Sequence, residues 1–143
     1  MADITSANSE FALTIDALGF NQVPIQGYEA DDAFTHESFE TVETRMGVDG
    51  ILSGGYVPSP KKLSIKLKPD SVSVAVFDQW IAAQKAAQAP LISSAVIVLP
   101  SLGKQYAFTT GFLTNVQALP DSKKTLQGQG YTITWQDIDV LPI

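Results

Sequence analysis

The chain has 143 residues, 45% of them hydrophobic and 17% charged, and a net charge of −6. Its length fits one domain with a single core, residues 1–143, and its charged fraction is below the roughly 25% of typical soluble domains, so we expect partners to cover part of its surface. The sequence contains no cysteine and one histidine, His36, which excludes disulfides and thiolate chemistry and argues against a zinc site or other cofactor.

Alternating apolar and polar residues, rich in β-branched and aromatic types, predict a mainly β protein. The first strands are expected at residues 10–17, 20–26 and 34–46. In the third, the alternation fails, and a β-bulge near Ser38 and Phe39 would restore it. The further predicted strands are 50–57, 61–68, 93–99, 103–112, 113–118 and 125–137.

The segment GVDGILSGGYVPSP, residues 47–60, forms an arm before the next strand. Its glycines let the backbone bend, and Pro58 and Pro60 lower the entropy lost on ordering. We regard this arm as a candidate contact between subunits, and an ordinary long surface loop as the alternative.

The strand KLSIKLK that follows has one apolar and one basic face. Leu63, Ile65 and Leu67 alternate with lysines and one serine, as in a strand that is buried on one side only. Lys62, Lys66 and Lys68 form the basic face.

One helix is predicted at about residues 71–88, after Pro69 and before Pro90. Asp70, Ser71 or Ser73 would cap its first turn. Apolar residues recur within it at spacings of three and four, which gives one stripe that packs on the sheet.

The chain shows none of the usual arrangements of catalytic residues. His36 lies near Asp31, Asp32 and Glu37 in sequence, but a catalytic site needs a third group and a pocket, and a solvated strand end explains these residues better. The glycines of GVDG and GQGYTIT do not lie between a strand and a helix at the spacing that binds phosphate. The N-terminus lacks the features of a signal peptide, and no apolar run is long enough to cross a membrane. We therefore predict a cytoplasmically made protein that is not an enzyme.

Charge is divided unevenly along the chain. Residues 1–50 hold ten acids and one basic residue, which gives −9, whereas residues 51–143 hold eight lysines and five acids, which gives +3. This division is expected for head-to-tail association or for one acidic and one basic face; scattered solvated charges are the alternative.

The order of these features resembles a tail tube protein of a tailed bacteriophage. The resemblance covers almost the whole chain: an acidic segment GYEADDAFTHESFETVET, then MGVDG, the strand KKLSIKLKP, the helix segment DSVSVAVFDQWIAAQ and a closing strand YTITWQD. It implies an antiparallel β-sandwich or incomplete β-barrel with one flanking helix. It also implies hexameric rings that stack into a hollow tube, through which DNA is ejected without specific binding.

The resemblance also suggests roles for individual residues. Ring stacking is expected to involve Gly47, Asp49, Gly50, Gly54, Gly55 and Tyr56. Subunit contacts are expected at Lys62, Lys66 and Lys68. A bore that releases DNA should not be basic, since each cationic contact strengthens phosphate binding. We therefore expect Glu37, Glu40 and Glu43 to face the lumen.

The expected partners are further copies of the chain and the tail sheath, baseplate and tape-measure proteins, in a virion tail assembled in the host cytoplasm. The resemblance to tail tube proteins favours a contractile tail. Two other functions remain open: a ring protein of type VI secretion or of a bacteriocin tube, and a small β-sandwich that binds a ligand. Dispersed aromatics and the lack of an Asp-rich calcium loop weigh against the ligand-binding module.

Overall fold

The computed structural model describes residues 10–26 and 34–142. Within these ranges the chain forms nine strands and one α-helix, with a short 3-10 helix at Asp16–Leu18. The elements in chain order are β1 Glu10–Ile15, β2 Phe20–Pro24, β3 Phe34–His36, β4 Val42–Met46, β5 Leu52–Tyr56, β6 Lys61–Leu67, α1 Val74–Ala87, β7 Ser93–Leu99, β8 Lys104–Val116 and β9 Gln129–Pro142.

Seven strands form one antiparallel sheet in the order β2-β1-β7-β8-β9-β6-β3. The long strands β8 and β9 run through both halves of it, because β7 pairs with one end of β8 and β6 pairs with the opposite end of β9. The halves meet across the core, where Phe11 of β1 stacks on Phe34 of β3 with ring centroids 5.8 Å apart. The sheet is thus folded over into a sandwich that does not close into a barrel, which confirms the predicted fold class.

The sheet folds over at the point where β8 and β9 both change which alternate side chains face the core. In β8 the buried positions change parity between Phe108 and Gly111, and in β9 the inward positions change between Trp135 and Ile138. Thr110 lies at this point with φ = 50°, a left-handed conformation that is strained for a β-branched residue. The predicted strands 103–112 and 113–118 are therefore one bent strand.

Helix α1 covers an open side of the sandwich. Its buried residues are Val76, Phe77 and Trp80, from the predicted apolar stripe. Phe77 stacks on Tyr131 of β9 with centroids 4.3 Å apart and ring planes 12° from parallel. Burial, and secondarily the charge of Asp78, raises the pKa of Tyr131 to about 12.

The start of the helix differs from the expected cap. Ser73 is the N-cap residue, but its side chain makes no capping bond to the helix. The backbone N–H of Gln26 instead donates to Ser73 Oγ at 2.7 Å, and Ser71 Oγ donates to the carbonyl of Gln26. These serines therefore tie the helix to the segment after β2.

The predicted strand 34–46 is wrong in its continuity. It is divided into β3 and β4, which belong to different sheets, with residues 37–41 between them in no regular structure. His36 pairs with Leu63, and Val42 pairs with Tyr56. The chain therefore takes six residue steps from His36 to Val42 on the outgoing side and seven from Tyr56 to Leu63 on the returning side. The extra residue thus lies on the returning side rather than at Ser38 and Phe39.

Candidate assembly surface

Strands β4 and β5 form a hairpin that stands apart from the sandwich. Among the residues that the structure describes, the two strands pair only with each other in a sheet of their own, and every residue in both is exposed. An isolated two-stranded hairpin is marginally stable in water at best. This segment, residues 42–56, therefore gains stability from any surface that packs on it.

One face of the hairpin is apolar. Residues two apart on a strand share a face, so the cross-strand pairs Val42–Tyr56 and Met46–Leu52 project to the same side. These four side chains are 46% to 80% exposed, and Val48 in the connecting turn is fully exposed. Thr44 and Gly54 lie between these pairs on the same side. Several large apolar side chains exposed together are typical of a protein contact. We call this side, with Val42, Met46, Leu52 and Tyr56, the apolar hairpin face.

The opposite face of the hairpin is polar. It carries Glu43, Arg45 and Ser53, which pair across the strands at Glu43–Gly55 and Arg45–Ser53. The hairpin therefore has one side suited to burial against protein and one suited to water.

The turn of the hairpin is built from the glycines and the acid singled out in the sequence. Gly50 has φ = 81°, which favours glycine, and its N–H donates to the carbonyl of Gly47 at 3.0 Å. Asp49 Oδ1 accepts from the N–H of Ile51 at 3.1 Å. A Cβ on Gly47 would lie 2.6 Å from that same carboxylate oxygen.

The remaining predicted stacking residues have a different place. Gly54, Gly55 and Tyr56 lie within the extended strand β5 and do not bend the backbone. Their register opposite Val42, Glu43 and Thr44 requires an extended conformation. The proposed loop is thus an ordered hairpin.

The predicted lumen-facing acids lie in two elements. Glu43 is on the polar face of β4, whereas Glu37 and Glu40 are exposed in the irregular segment 37–41. The bond from the N–H of Glu37 to the carbonyl of Lys62, 3.2 Å long, holds the start of that segment to β6.

The predicted basic face is present on β6. Lys62 and Lys66 are exposed and alternate with buried Leu63, Ile65 and Leu67, and Lys68 follows the strand as an exposed residue. Hydroxyl side chains surround the lysines on the outer face of the sheet: Ser64 and Thr132 lie 3.2 Å apart, and Thr114 and Thr134 lie 3.0 Å apart.

The alternation of KKLSIKL also holds a residue that the sequence reasoning missed. Lys61 shares the parity of the core residues and is 7% exposed. The apolar hairpin face was missed as well. Val42, Thr44 and Met46 alternate with the charged Glu43 and Arg45 just before the glycine turn, and this alternation was a signal for it.

His36 is part of the packing at the hairpin base. Its Nδ1 lies 2.8 Å from the carbonyl of Lys62, and its ring lies 5.8 Å from that of Phe39. Asp31 and Asp32, considered with it above, lie outside the described residues. Within the described part of the chain, no three His, Asp or Glu side chains are grouped as a metal site. The same residues include no helix long and apolar enough to cross a membrane.

The sequence matches the family described as tail fiber protein gp32 over residues 2–139. The chain belongs to this family. It is therefore a tail-related structural protein, as the resemblance to phage tail proteins predicted. No curated protein matches the sequence.

Solved structures share the fold at low sequence identity. A chain of the anti-feeding prophage baseplate aligns with a TM-score of 0.65 and 12% identity, covering 99% of this chain and 97% of its own. A chain of the anti-feeding prophage tube-terminating cap gives 0.59 at 12% identity, with coverages of 100% and 95%. A chain of the sheath/tube terminator of an extracellular contractile injection system, PVC, gives 0.62 at 11% identity, with coverages of 99% and 98%. At such identities the likeness establishes the fold alone.

Proposed function

We propose that this protein forms hexameric rings that stack into the hollow tail tube through which phage DNA passes. The observation that carries the proposal is the apolar hairpin face, with Val42, Met46, Leu52 and Tyr56 exposed on a hairpin that has no packing partner within the described residues. Packing against a further copy of the chain would bury this face and stabilise the hairpin.

The free strand edges of the sandwich support ring formation. Among the described residues, β9 beyond Trp135 pairs with β8 alone, and β8 beyond Gly111 pairs with β9 alone. Within residues 10–26 and 34–142, these stretches and the terminal strands β2 and β3 form the edges of the two halves of the sheet. Open edges pair readily with other chains, and closing them in a ring removes the hazard.

Stacking of rings is a heterologous contact, which extends without limit. The hairpin, with Gly47, Asp49, Gly50, Gly54, Gly55 and Tyr56, would supply that contact. Lys62, Lys66 and Lys68 would contact an acidic surface of a neighbouring copy, in keeping with the uneven distribution of charge along the chain.

The bore would be lined by Glu37, Glu40 and Glu43, with Glu43 on the hairpin face opposite the apolar one. Reversing these acids to lysine should preserve the tube and slow DNA ejection at low salt, because a cationic lining binds phosphate. Assembled in the host cytoplasm, the tube would contact sheath, baseplate and tape-measure proteins in a contractile tail.

A second candidate is a ring at one end of a tube rather than a repeating tube ring. The fold extends over nearly the whole of chains from a baseplate, a cap and a terminator. The type VI secretion and bacteriocin tubes remain related uses of the same architecture. Electron microscopy separates the two candidates, since a repeating ring gives tubes of open-ended length and an end ring gives single rings.

The test of the proposal exchanges one cross-strand pair at a time. Met46→Thr/Leu52→Thr removes half of the apolar hairpin face but keeps strand propensity, and we expect a folded monomer that forms neither rings nor tubes. The matched control, Arg45→Thr/Ser53→Thr, alters the adjacent pair on the polar face and should assemble like the wild type. Negative-stain microscopy and sedimentation velocity measure both. Normal assembly of the first variant, or a wild type that stays monomeric at millimolar concentration, would overturn the proposal.

A further inference from the structure

Lys61 is a buried lysine at the junction between the hairpin and the sandwich. It is the first residue of β6, shares the inward parity of Leu63, Ile65 and Leu67, and is 7% exposed. Lysine is rarely buried without a partner, because removing the ammonium group from water is costly. The contacts of Lys61 therefore indicate what the burial achieves.

The ammonium group of Lys61 has one contact in the sandwich and one in the hairpin base. Nζ donates to the carbonyl of Gln136 on β9 at 3.2 Å. It also lies 5.0 Å from the ring centroid of Phe39, within the range of a cation–π interaction. Gln136 belongs to the folded sheet, whereas Phe39 lies in the irregular segment that leads to β4. The Lys61 ammonium group thus joins the sandwich to the segment at the base of the hairpin.

The backbone of this junction is held less regularly than the strands on either side. Residues 37–41 and 57–60 connect the hairpin to β3 and β6, and neither segment is a strand. They are joined by the bonds Ser59 Oγ to the Glu40 carbonyl, 2.7 Å, and Val57 N–H to the Thr41 carbonyl, 3.1 Å. These bonds hold the segments to each other but do not reach the sandwich. The contacts that do reach it include the Glu37–Lys62 backbone bond at the start of the first segment, the contact of Phe39 with His36, and the two contacts of Lys61.

We infer that Lys61 is a positioning residue that fixes the direction of the hairpin relative to the sandwich. Its bridge from Gln136 to Phe39 presents the apolar hairpin face in one orientation before a partner arrives. A surface held in its bound orientation loses less conformational entropy on association. The consequence for assembly rests on the proposed function, whereas the effect on the hairpin does not.

The experiment measures the isolated subunit first, under dilution that prevents assembly. Hydrogen exchange is followed at the amides of Glu37 and Val57, which lie at the hairpin base. Lys61→Met keeps the aliphatic stem but removes the charge, and we expect exchange there to be faster by about 5- to 30-fold, the factor for losing a contact of this size. Amides of the core strand β7 should keep their wild-type rates.

Two further variants make the result specific. Lys61→Arg keeps a cation that can lie over an aromatic ring, and N–H donors, and should remain within about twofold of the wild-type rates. Lys124→Met removes an exposed lysine from the loop before β9 and should change nothing. If Lys61→Met fails to fold, Phe39→Leu keeps the cation and its bond to Gln136 but removes the ring, with its contacts to Lys61 and His36, and should give a smaller acceleration at the same two amides.

The second measurement is the protein concentration at which assemblies form, which Lys61→Met should raise by about tenfold and Lys61→Arg should not. Wild-type exchange rates at the hairpin base in Lys61→Met, or in Phe39→Leu if the first does not fold, would overturn the inference. If those rates rise and the wild type never assembles, the positioning role stands and the proposed function fails. If the wild type assembles and Lys61→Met assembles at the same concentration, positioning does not serve assembly.

Discussion

Replacement of Gly111 by alanine tests how closely β8 and β9 approach at the fold in the sheet. Gly111 pairs directly with Trp135. A Cβ at this position would lie 2.3 Å from two atoms of the indole ring, whereas carbon atoms in contact are about 3.5–4.0 Å apart. The ring cannot simply withdraw, because Trp135 is 1% exposed and packs against Phe108 with centroids 5.1 Å apart.

We therefore expect Gly111→Ala to lower the free energy of unfolding by about 3 kcal/mol. Overpacking a core costs about 1–3 kcal/mol, and this site belongs at the upper end because the overlap exceeds 1 Å and involves a fully buried ring. The corresponding fall in the melting temperature is about 10 °C for a chain of this size. Urea unfolding followed by tryptophan fluorescence, below the concentration of any assembly, measures the change.

Gly130→Ala is the matched control, since Gly130 lies in β9 and, like Gly111 in β8, is paired within the sheet. A Cβ there would meet only Gln117 Oε1, at 3.8 Å, which is an ordinary contact. We expect a change within about 1 kcal/mol, on the stabilising side, because glycine within a strand is less favourable than alanine. Equal stability of the two variants would show that the close approach to Trp135 does not constrain residue 111.

Three further predictions follow from the structure. The pKa of Tyr131 is about 12 in the folded state and about 10 when unfolded, so the stability that this group contributes is full below pH 10 and is lost between pH 10 and 12. Between pH 9 and pH 11, the free energy of unfolding should therefore fall by about 1–2 kcal/mol less in Tyr131→Phe than in the wild type. Equal falls in the two proteins, measured by denaturant unfolding, would refute this. Thr110→Asn relieves the left-handed strain and should raise the free energy of unfolding by about 1 kcal/mol in a urea titration; a lower value would mean that the threonine makes a compensating contact. If the proposed rings and tube form, replacing Lys62, Lys66 and Lys68 with glutamate should stop tube growth without unfolding the subunit, since ion pairs worth about 0.2–1 kcal/mol each would repeat around a ring; normal growth by microscopy would leave the lysines as a solvated face.

Local pattern was sufficient for most of the elements. The alternation in β6 and β9 identified both strands and their inward faces, because only one side of each strand packs on the core. The helix followed from apolar spacing between Pro69 and Pro90. Local pattern therefore predicted a mainly β chain with a single helix, whereas the antiparallel sandwich was implied by the resemblance to tail tube proteins.

The candidate assembly surface could be predicted only in part. The glycine turn at Gly47–Gly50 was evident, because Asp and Gly at such positions favour tight turns. The division of β4 and β5 into an apolar and a polar face depends on a register that begins at the turn. Sequence alone left that register uncertain by one residue, and one residue reverses every side chain.

The tertiary structure decided the features that depend on distant partners. Alternation places Lys61 on the core side of β6, but only the approach of Gln136 and Phe39 shows why a lysine is stable there. From sequence alone, Gly111 is a residue that weakens its strand. The structure shows that the indole of Trp135 occupies the space that a side chain at residue 111 would need. The sequence by itself determined the helix and most of the strands, because local periodicity follows from the geometry of a single element. The folded sheet decided where strands break or join and which residues meet, because such contacts arise between elements far apart along the chain.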